Sequence, residues 1–185
     1  MAELQTSVSG RRPVRGLLLD LDGVVHIRGN ALPGSLESIA RVRAANIPLK
    51  FVTNTTRVPR RRIVEDLARM GLQVAMDDVF TPAISARAFL VREHLAPSLV
   101  AHPDLREDFA GLPEQGREAV VLGDAGAYFT YDALNAAFRK ILRGAEFLAL
   151  AKNRNFLDRD GELSLDLGAF VAALEYASGR RCRWR

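Results

Sequence analysis

Two aspartates one residue apart, Asp20 and Asp22, follow the apolar run Leu17-Leu18-Leu19 and precede Gly23. A short apolar run bounded by turn chemistry suits a buried parallel strand, which places both carboxylates at its C-terminal end. In open α/β sheets that end is where ligands bind. Two carboxylates this close suit two linked steps. One can attack phosphorus and form an aspartyl-phosphate. The other can give a proton to the leaving group and later take one from water. Their mutual repulsion is relieved by a hard divalent cation such as Mg²⁺, which prefers oxygen ligands. Gly23 lets the chain turn off the strand. A bare acidic pair would equally suit a solvated loop. The strand before it, and the hairpin pattern of Val24 to Ile27 with Arg28-Gly29-Asn30 after it, favour chemistry.

A second element is Phe51-Val52-Thr53-Asn54-Thr55. A hydroxyl at the end of a neighbouring strand, backed by free N–H groups of the next helix, makes a phosphate cradle. The other reading is that Thr55 or Thr56 simply caps that helix.

The elements that must hold these residues follow from periodicity. Pro33-Gly34-Ser35 opens a helix with Leu36, Ile39 and Val42 on one face, ending near Asn46. Pro48 to Val52 is a strand. The next helix has Pro59 in its first turn, an apolar stripe of Ile63, Val64, Leu67 and Met70, and a stop at Gly71. Val79-Phe80 reads as a short strand, Ile84 to Leu95 as a helix, and Ser98 to Ala101 as a third core strand. After about residue 112 a second unit begins. It has strands at Ala119 to Leu122 and Phe147 to Ala151, and a helix capped by Thr130. A turn at Asp158 to Gly161 and a helix from Leu167 to Ala177, closed by Gly179, complete it. The alternation predicts α/β architecture with a parallel sheet and right-handed crossovers.

Composition narrows the classes. Hydrophobic content of 48% and charged content of 26% are those of a globular domain. No apolar run approaches a membrane span, and the polar first fifteen residues lack the apolar core of a signal peptide. With one cysteine no internal disulfide can form, which suits a reducing compartment, so the expected location is the cytoplasm. The pI near 9.7 suggests nucleic acid. However, removing Arg180, Arg181, Arg183 and Arg185 leaves equal numbers of basic and acidic residues. Arg60 to Arg62 reads as a solvated helix face. Neither nucleic acid nor membrane is therefore an expected partner.

Leu19-Asp20-Leu21-Asp22-Gly23-Val24 and Phe51-Val52-Thr53-Asn54-Thr55 resemble the first two motifs of haloacid dehalogenase (HAD) superfamily phosphatases. They are similar to subfamily IIA, whose members carry a large inserted cap. Gly123 to Gly126, Phe129 to Tyr131, Leu134 to Phe138 and Gly168 to Ala177 resemble the cap of its phospholysine phosphohistidine inorganic pyrophosphate phosphatase branch. The resemblance implies a Rossmann-like HAD core with a parallel sheet plus an inserted α/β cap. The expected division is a flexible lead at 1–15, core at 16–112, cap at 113–180 and basic tail at 181–185. It implies Asp20 as nucleophile, Asp22 as general acid/base, and Thr53 with Asn54 as phosphate binders. Mg²⁺ would sit on the Asp20 side chain and the Asp22 backbone carbonyl. Asn153, Arg154 and Asn155 would meet a small phosphorylated substrate.

The departure is equally specific. The family continues with a Gly-Lys-Pro-type segment and a strand ending in further metal-binding aspartates. Here Ala177-Ser178-Gly179-Arg180-Arg181 leads to Cys182-Arg183-Trp184-Arg185. The lysine of the third motif has no match, Lys152 lying in a cap strand. Gly123-Asp124 reads as a cap strand end rather than a fourth motif. The resemblance thus implies a core whose C-terminal segment is missing. Low or absent phosphatase activity is expected, as is an exposed edge at Leu17 to Asp20 and a possible homo-oligomer. The rival expectation is a non-catalytic, phosphate-binding module of the same fold.

Overall fold

The computed structural model describes residues 14–158 and 160–184; residues 1–13 of the expected lead, Arg159 of the expected turn and Arg185 of the tail lie outside the described residues. Two parallel sheets organise the chain. The first is built from β1 (Leu17–Asp20), β4 (Leu49–Val52) and β5 (Val79–Phe80), in the order β1-β4-β5. Between β1 and β4 lie a small hairpin, β2 (His26–Ile27) with β3 (Asn30–Ala31), and helix α1 (Ser35–Ala44). Helix α2 (Arg60–Arg69) leads from β4 towards β5. Its expected stripe is borne out: Ile63 and Leu67 are buried, with Val64 and Met70 packed beside them on Leu21, Val25, Ile39, Phe51 and Val79.

The second sheet has the order β11-β8-β7-β6, all parallel. Its strands are β6 (Leu95–Val100), β7 (Arg117–Leu122), β8 (Glu146–Ala149) and β11 (Arg183–Trp184). Helices α3 (Pro82–Arg92), α4 (Tyr131–Leu142) and α5 (Leu167–Ser178) supply Ala83, Phe89, Leu90, Ala137, Ile141, Val171 and Leu174 to its core. Thr130 caps α4 through its side chain, and Gly179, at φ 67°, closes α5, both as the sequence predicts. A second hairpin, β9 (Asn155–Leu157) with β10 (Leu163–Leu165), stands apart from both sheets. Among the described residues no helix is long and apolar enough to cross a membrane.

Three expectations are corrected. Of the segment read as a third core strand, 98–101, residues 98–100 belong to β6 and pair with β7 in the second sheet; the third strand of the first sheet is Val79–Phe80. A short apolar run announces a strand but not which sheet receives it. Consequently the passage between the two cores falls between Val79 and Ala83, not at residue 112. The tail expected at 181–185 also carries structure: Arg183 and Trp184 pair in parallel with Leu148 and Ala149. Cys182 packs against the second core. Two residues of strand are too few to leave a periodic signature.

Candidate active site

β1 ends at Asp20, and the chain turns at once. Leu21 plunges into the first core while Asp20 and Asp22 on either side of it stay exposed. The period-two alternation of a strand therefore still governs this end of β1. The turn is closed by backbone hydrogen bonds: the N–H groups of Val25 and His26 donate to Leu21 O, and Gly23 N–H donates to His26 O at 2.8 Å. Gly23 adopts φ 78°, a left-handed conformation that suits glycine. One carboxylate oxygen of Asp20, Oδ1, accepts the Leu21 N–H at 2.8 Å.

Asp20 lies opposite Val52 in the β1–β4 register, so Thr53 continues directly from its neighbour. Thr53 is buried and Asn54 exposed. Thr53 Oγ1 accepts the Thr55 N–H at 3.1 Å and lies 3.0 Å from Thr55 Oγ1. Neither Thr55 nor Thr56 caps α2: the N-cap position is Pro59, and Thr56 Oγ1 instead accepts the Asp124 N–H. Of the helix N–H groups expected to be free behind Thr53, one has a partner. The first N–H of α2, on Arg60, is already bound by the Asp108 carboxylate, 3.0 and 3.2 Å from its two oxygens. A negative charge thus already occupies the positive end of this helix dipole.

A cleft of about 360 Å³ is lined by Leu21, Asp22, His26, Thr53 and Thr55 on one side and by Ile63, Asp66, Leu67 and Arg69 of α2 on another. The structure thus brings Asp22 and Thr53 to one cavity; Asp20 and Asn54 are not among its lining residues. His26 was not anticipated. Its buried Nδ1 makes no hydrogen bond and lies 3.4 Å from Asp22 Oδ1. The spacing of four residues from Asp22 was the only sequence signal for this pairing. Asp66, also unanticipated, is paired with Arg69 and Arg62.

The cap candidates lie elsewhere. Asn153 and Arg154 connect β8 to β9, and Asn155 opens β9; all three are exposed. Their backbone is fixed by α5, because Gly168 N–H donates to Asn153 O and Asp166 N–H to Arg154 O. Arg154 and Asn155 line a separate cavity with Lys152, Leu163 and Gly168. The structure does not bring them into the cleft of Asp22 and Thr53. Lys152 donates to both oxygens of Glu175 at 3.1 Å, which raises its pKa and commits its charge. Asp124 lies two residues beyond β7, with Oδ1 accepting the Gly126 N–H and Oδ2 3.6 Å from Arg57.

For a divalent cation the donor chemistry fits, since Asp20 and Asp22 offer hard oxygen atoms. Among the described residues, however, no group of three or more His, Cys, Asp or Glu side chains could hold a metal ion. The residues present supply part of an octahedral shell.

The family model described as haloacid dehalogenase-like hydrolase matches residues 17–127, which includes both Asp20-x-Asp22 and Thr53-Asn54. The chain belongs to that family. It is 37% identical to mouse haloacid dehalogenase-like hydrolase domain-containing protein 2 over 171 residues, covering 92% of this chain and 66% of that one. It is 37% identical to zebrafish (Danio rerio) phospholysine phosphohistidine inorganic pyrophosphate phosphatase over 179 residues, covering 93% and 66%. Among solved structures it resembles Mycobacterium tuberculosis glycerol phosphate phosphatase in complex with magnesium. The TM-score is 0.77 and the identity 27%, over 90% of this chain and 53% of that one. The expected haloacid dehalogenase membership, subfamily IIA, and α/β fold are borne out. The chain spans just under two thirds of the length of the curated relatives it matches.

Proposed function

We propose that this chain carries the nucleophile half of a phosphatase site for small phosphorylated substrates, with Asp20 as nucleophile and Asp22 as general acid/base. One observation carries the reading: the two exposed carboxylates flank buried Leu21 at the C-terminal end of β1, beside the strand that delivers Thr53. In the first step an Asp20 oxygen bonds to phosphorus as the ester P–O bond breaks, and Asp22 protonates the departing oxygen. In the second, water bonds to phosphorus while Asp22 takes its proton. The bond from phosphorus to Asp20 breaks, freeing phosphate and restoring both carboxyl groups. Thr53 and Asn54 would bind the phosphate oxygens. The Asp20 carboxylate and Asp22 carbonyl would hold Mg²⁺, which when bound offsets the negative charge of both substrate and nucleophile. Phosphomonoesters, pyrophosphate and phosphoamino side chains are the substrate classes that the relatives' names support.

Turnover by this chain is expected to be slow or absent. Lys152 is committed to Glu175, and among the described residues no group of three or more His, Cys, Asp or Glu side chains could hold a metal ion. The test is therefore a trap rather than a rate. The protein is incubated with Mg²⁺ and an aryl phosphate, quenched in acid and mapped by mass spectrometry. A phosphoryl group on Asp20, more abundant in Asp22→Asn and gone in Asp20→Asn, is the expected result. Phosphate binding without any adduct would favour the second reading, a non-catalytic phosphate-binding module, for which the incomplete metal shell speaks.

A further inference from the structure

Residues 53–59 connect β4 to α2 and carry the two side chains proposed to bind phosphate. Two of the contacts that hold this loop and the helix start behind it come from the second-sheet unit. Thr53 N–H donates to Phe80 O at 3.1 Å, within the first sheet. Thr56 Oγ1 is bound by the Asp124 N–H, which follows β7. At the far end, Arg60 N–H is bound by Asp108, in the 3₁₀ segment Pro103–Phe109 between β6 and β7.

The last contact has no local substitute. A helix start normally finds its cap in the preceding side chain. Here that residue is Pro59, which offers no side-chain acceptor. The Arg60 N–H is bound instead by Asp108, 48 residues away. Asp108 is itself held in place. Arg61 donates through Nε and NH2 to the two oxygens of Glu107, at 2.8 and 3.1 Å. Arg87 of α3 donates to the carbonyls of Asp108 and Ala110, at 3.2 and 2.7 Å. Half-burying a carboxylate is unfavourable unless its oxygens are bonded, and here both accept the same N–H.

We propose that Asp108 is a positioning residue for the phosphate loop: through it the second-sheet unit sets the conformation of residues 53–59. The functional half of this statement rests on the phosphatase reading above; the structural half does not.

Hydrogen–deuterium exchange on the 185-residue chain tests it, comparing wild type with Asp108→Ala, Asp108→Asn and Asp108→Glu. In Asp108→Ala, amides 55–62 are expected to exchange about tenfold faster, the loss of one charge-assisted bond. Amides of β6, β7 and β8 keep their wild-type rates. Asp108→Asn restores most of the protection, because its amide oxygen still accepts from Arg60. Asp108→Glu, whose oxygens reach a different point, gives an intermediate result and decides the matter if the alanine variant does not fold. Unchanged exchange at 55–62, or the same acceleration in every element, would overturn the proposal. The second arm titrates inorganic phosphate into wild type and Asp108→Ala. Weaker binding in the variant supports the role, and equal binding overturns it. If wild type binds no phosphate while amides 55–62 respond, the phosphatase reading fails and the anchoring of the loop stands.

Discussion

Asp124 donates its backbone N–H to Thr56 Oγ1 at 3.3 Å, joining the loop after β7 to the loop after β4. Around this bond the two units approach closely: a Cβ on Gly123 would lie 3.1 Å from Thr56 O, Ala101 Cβ and Leu150 Cδ1. Thr56→Val keeps the side chain's shape but removes the acceptor, leaving the Asp124 N–H without its partner. The expected loss is about 1–3 kcal/mol of unfolding free energy. Asp124→Asn keeps the backbone bond and loses only the half-exposed pair with Arg57, a change of about 0–1 kcal/mol. Urea melts of both variants check the ranking, and a larger effect in Asp124→Asn would show that the ion pair carries the joint.

Gly168 sits where α5 passes over the carbonyls of the β8–β9 connection. A Cβ there would lie 2.6 Å from Lys152 O and still nearer to Asn153 O. Both are backbone atoms with no rotamer to yield. Gly168→Ala should therefore displace residues 152–153 and cost about 1–3 kcal/mol, as overpacking does. Thermal melting gives the cost. Unchanged amide shifts at Lys152 and Asn153 in the variant would show that α5 moves instead.

Much of this arrangement is legible in the sequence, and the exceptions share a cause. The β1 end, the Thr53 strand, the stripe of α2 and the caps at Thr130 and Gly179 are written in residues close to one another along the chain. What the sequence does not reveal is long-range partnership. Nothing near Arg60 marks Asp108 as its cap, and nothing near Leu95 assigns β6 to the second sheet. His26 is an intermediate case. Its distance from Asp22 is short along the chain, but their meeting depends on the Gly23 turn, whose form becomes visible only once folded.

The Asp108 carboxyl is held above the usual carboxylate range, chiefly by burial, against the lowering effect of the Arg60 N–H. The folded chain therefore binds that proton more tightly than the unfolded chain. Its contribution to stability is full at low pH and declines as pH rises from the ordinary carboxyl range through the raised value. Asp108→Asn removes the ionisation and keeps an acceptor. The stability of wild type minus that of Asp108→Asn should thus fall with rising pH across this window and level off above it. A difference that is flat or rises with pH would mean that hydrogen bonding to Arg60 outweighs burial.

The outer side of β1 bears on self-association. β4 occupies one side of this strand, and among the described residues no strand pairs with the other. Leu18 on β1 is 69% exposed and Val24 just beyond it 48% exposed. Beside them an apolar cavity runs between β1 and α1, lined by Leu17, Leu19, Val25, Leu32, Ile39 and Val42. An unpaired edge with apolar flanks is a template for another strand, and proteins that keep such edges soluble place lysine on them. Uncovered apolar surface of a few hundred Å² adds to the tendency. The chain is therefore expected to self-associate when purified alone. Leu18→Lys should shift it towards monomer, because an ammonium group on the edge strand opposes docking while leaving buried Leu21 untouched. Light scattering at several protein concentrations measures both. A wild-type chain that stays monomeric throughout would show that this edge is already satisfied. Association that persists unchanged in Leu18→Lys would place the contact elsewhere, and the exposed leucines of the β9–β10 hairpin, Leu157, Leu163 and Leu165, would be the next to replace.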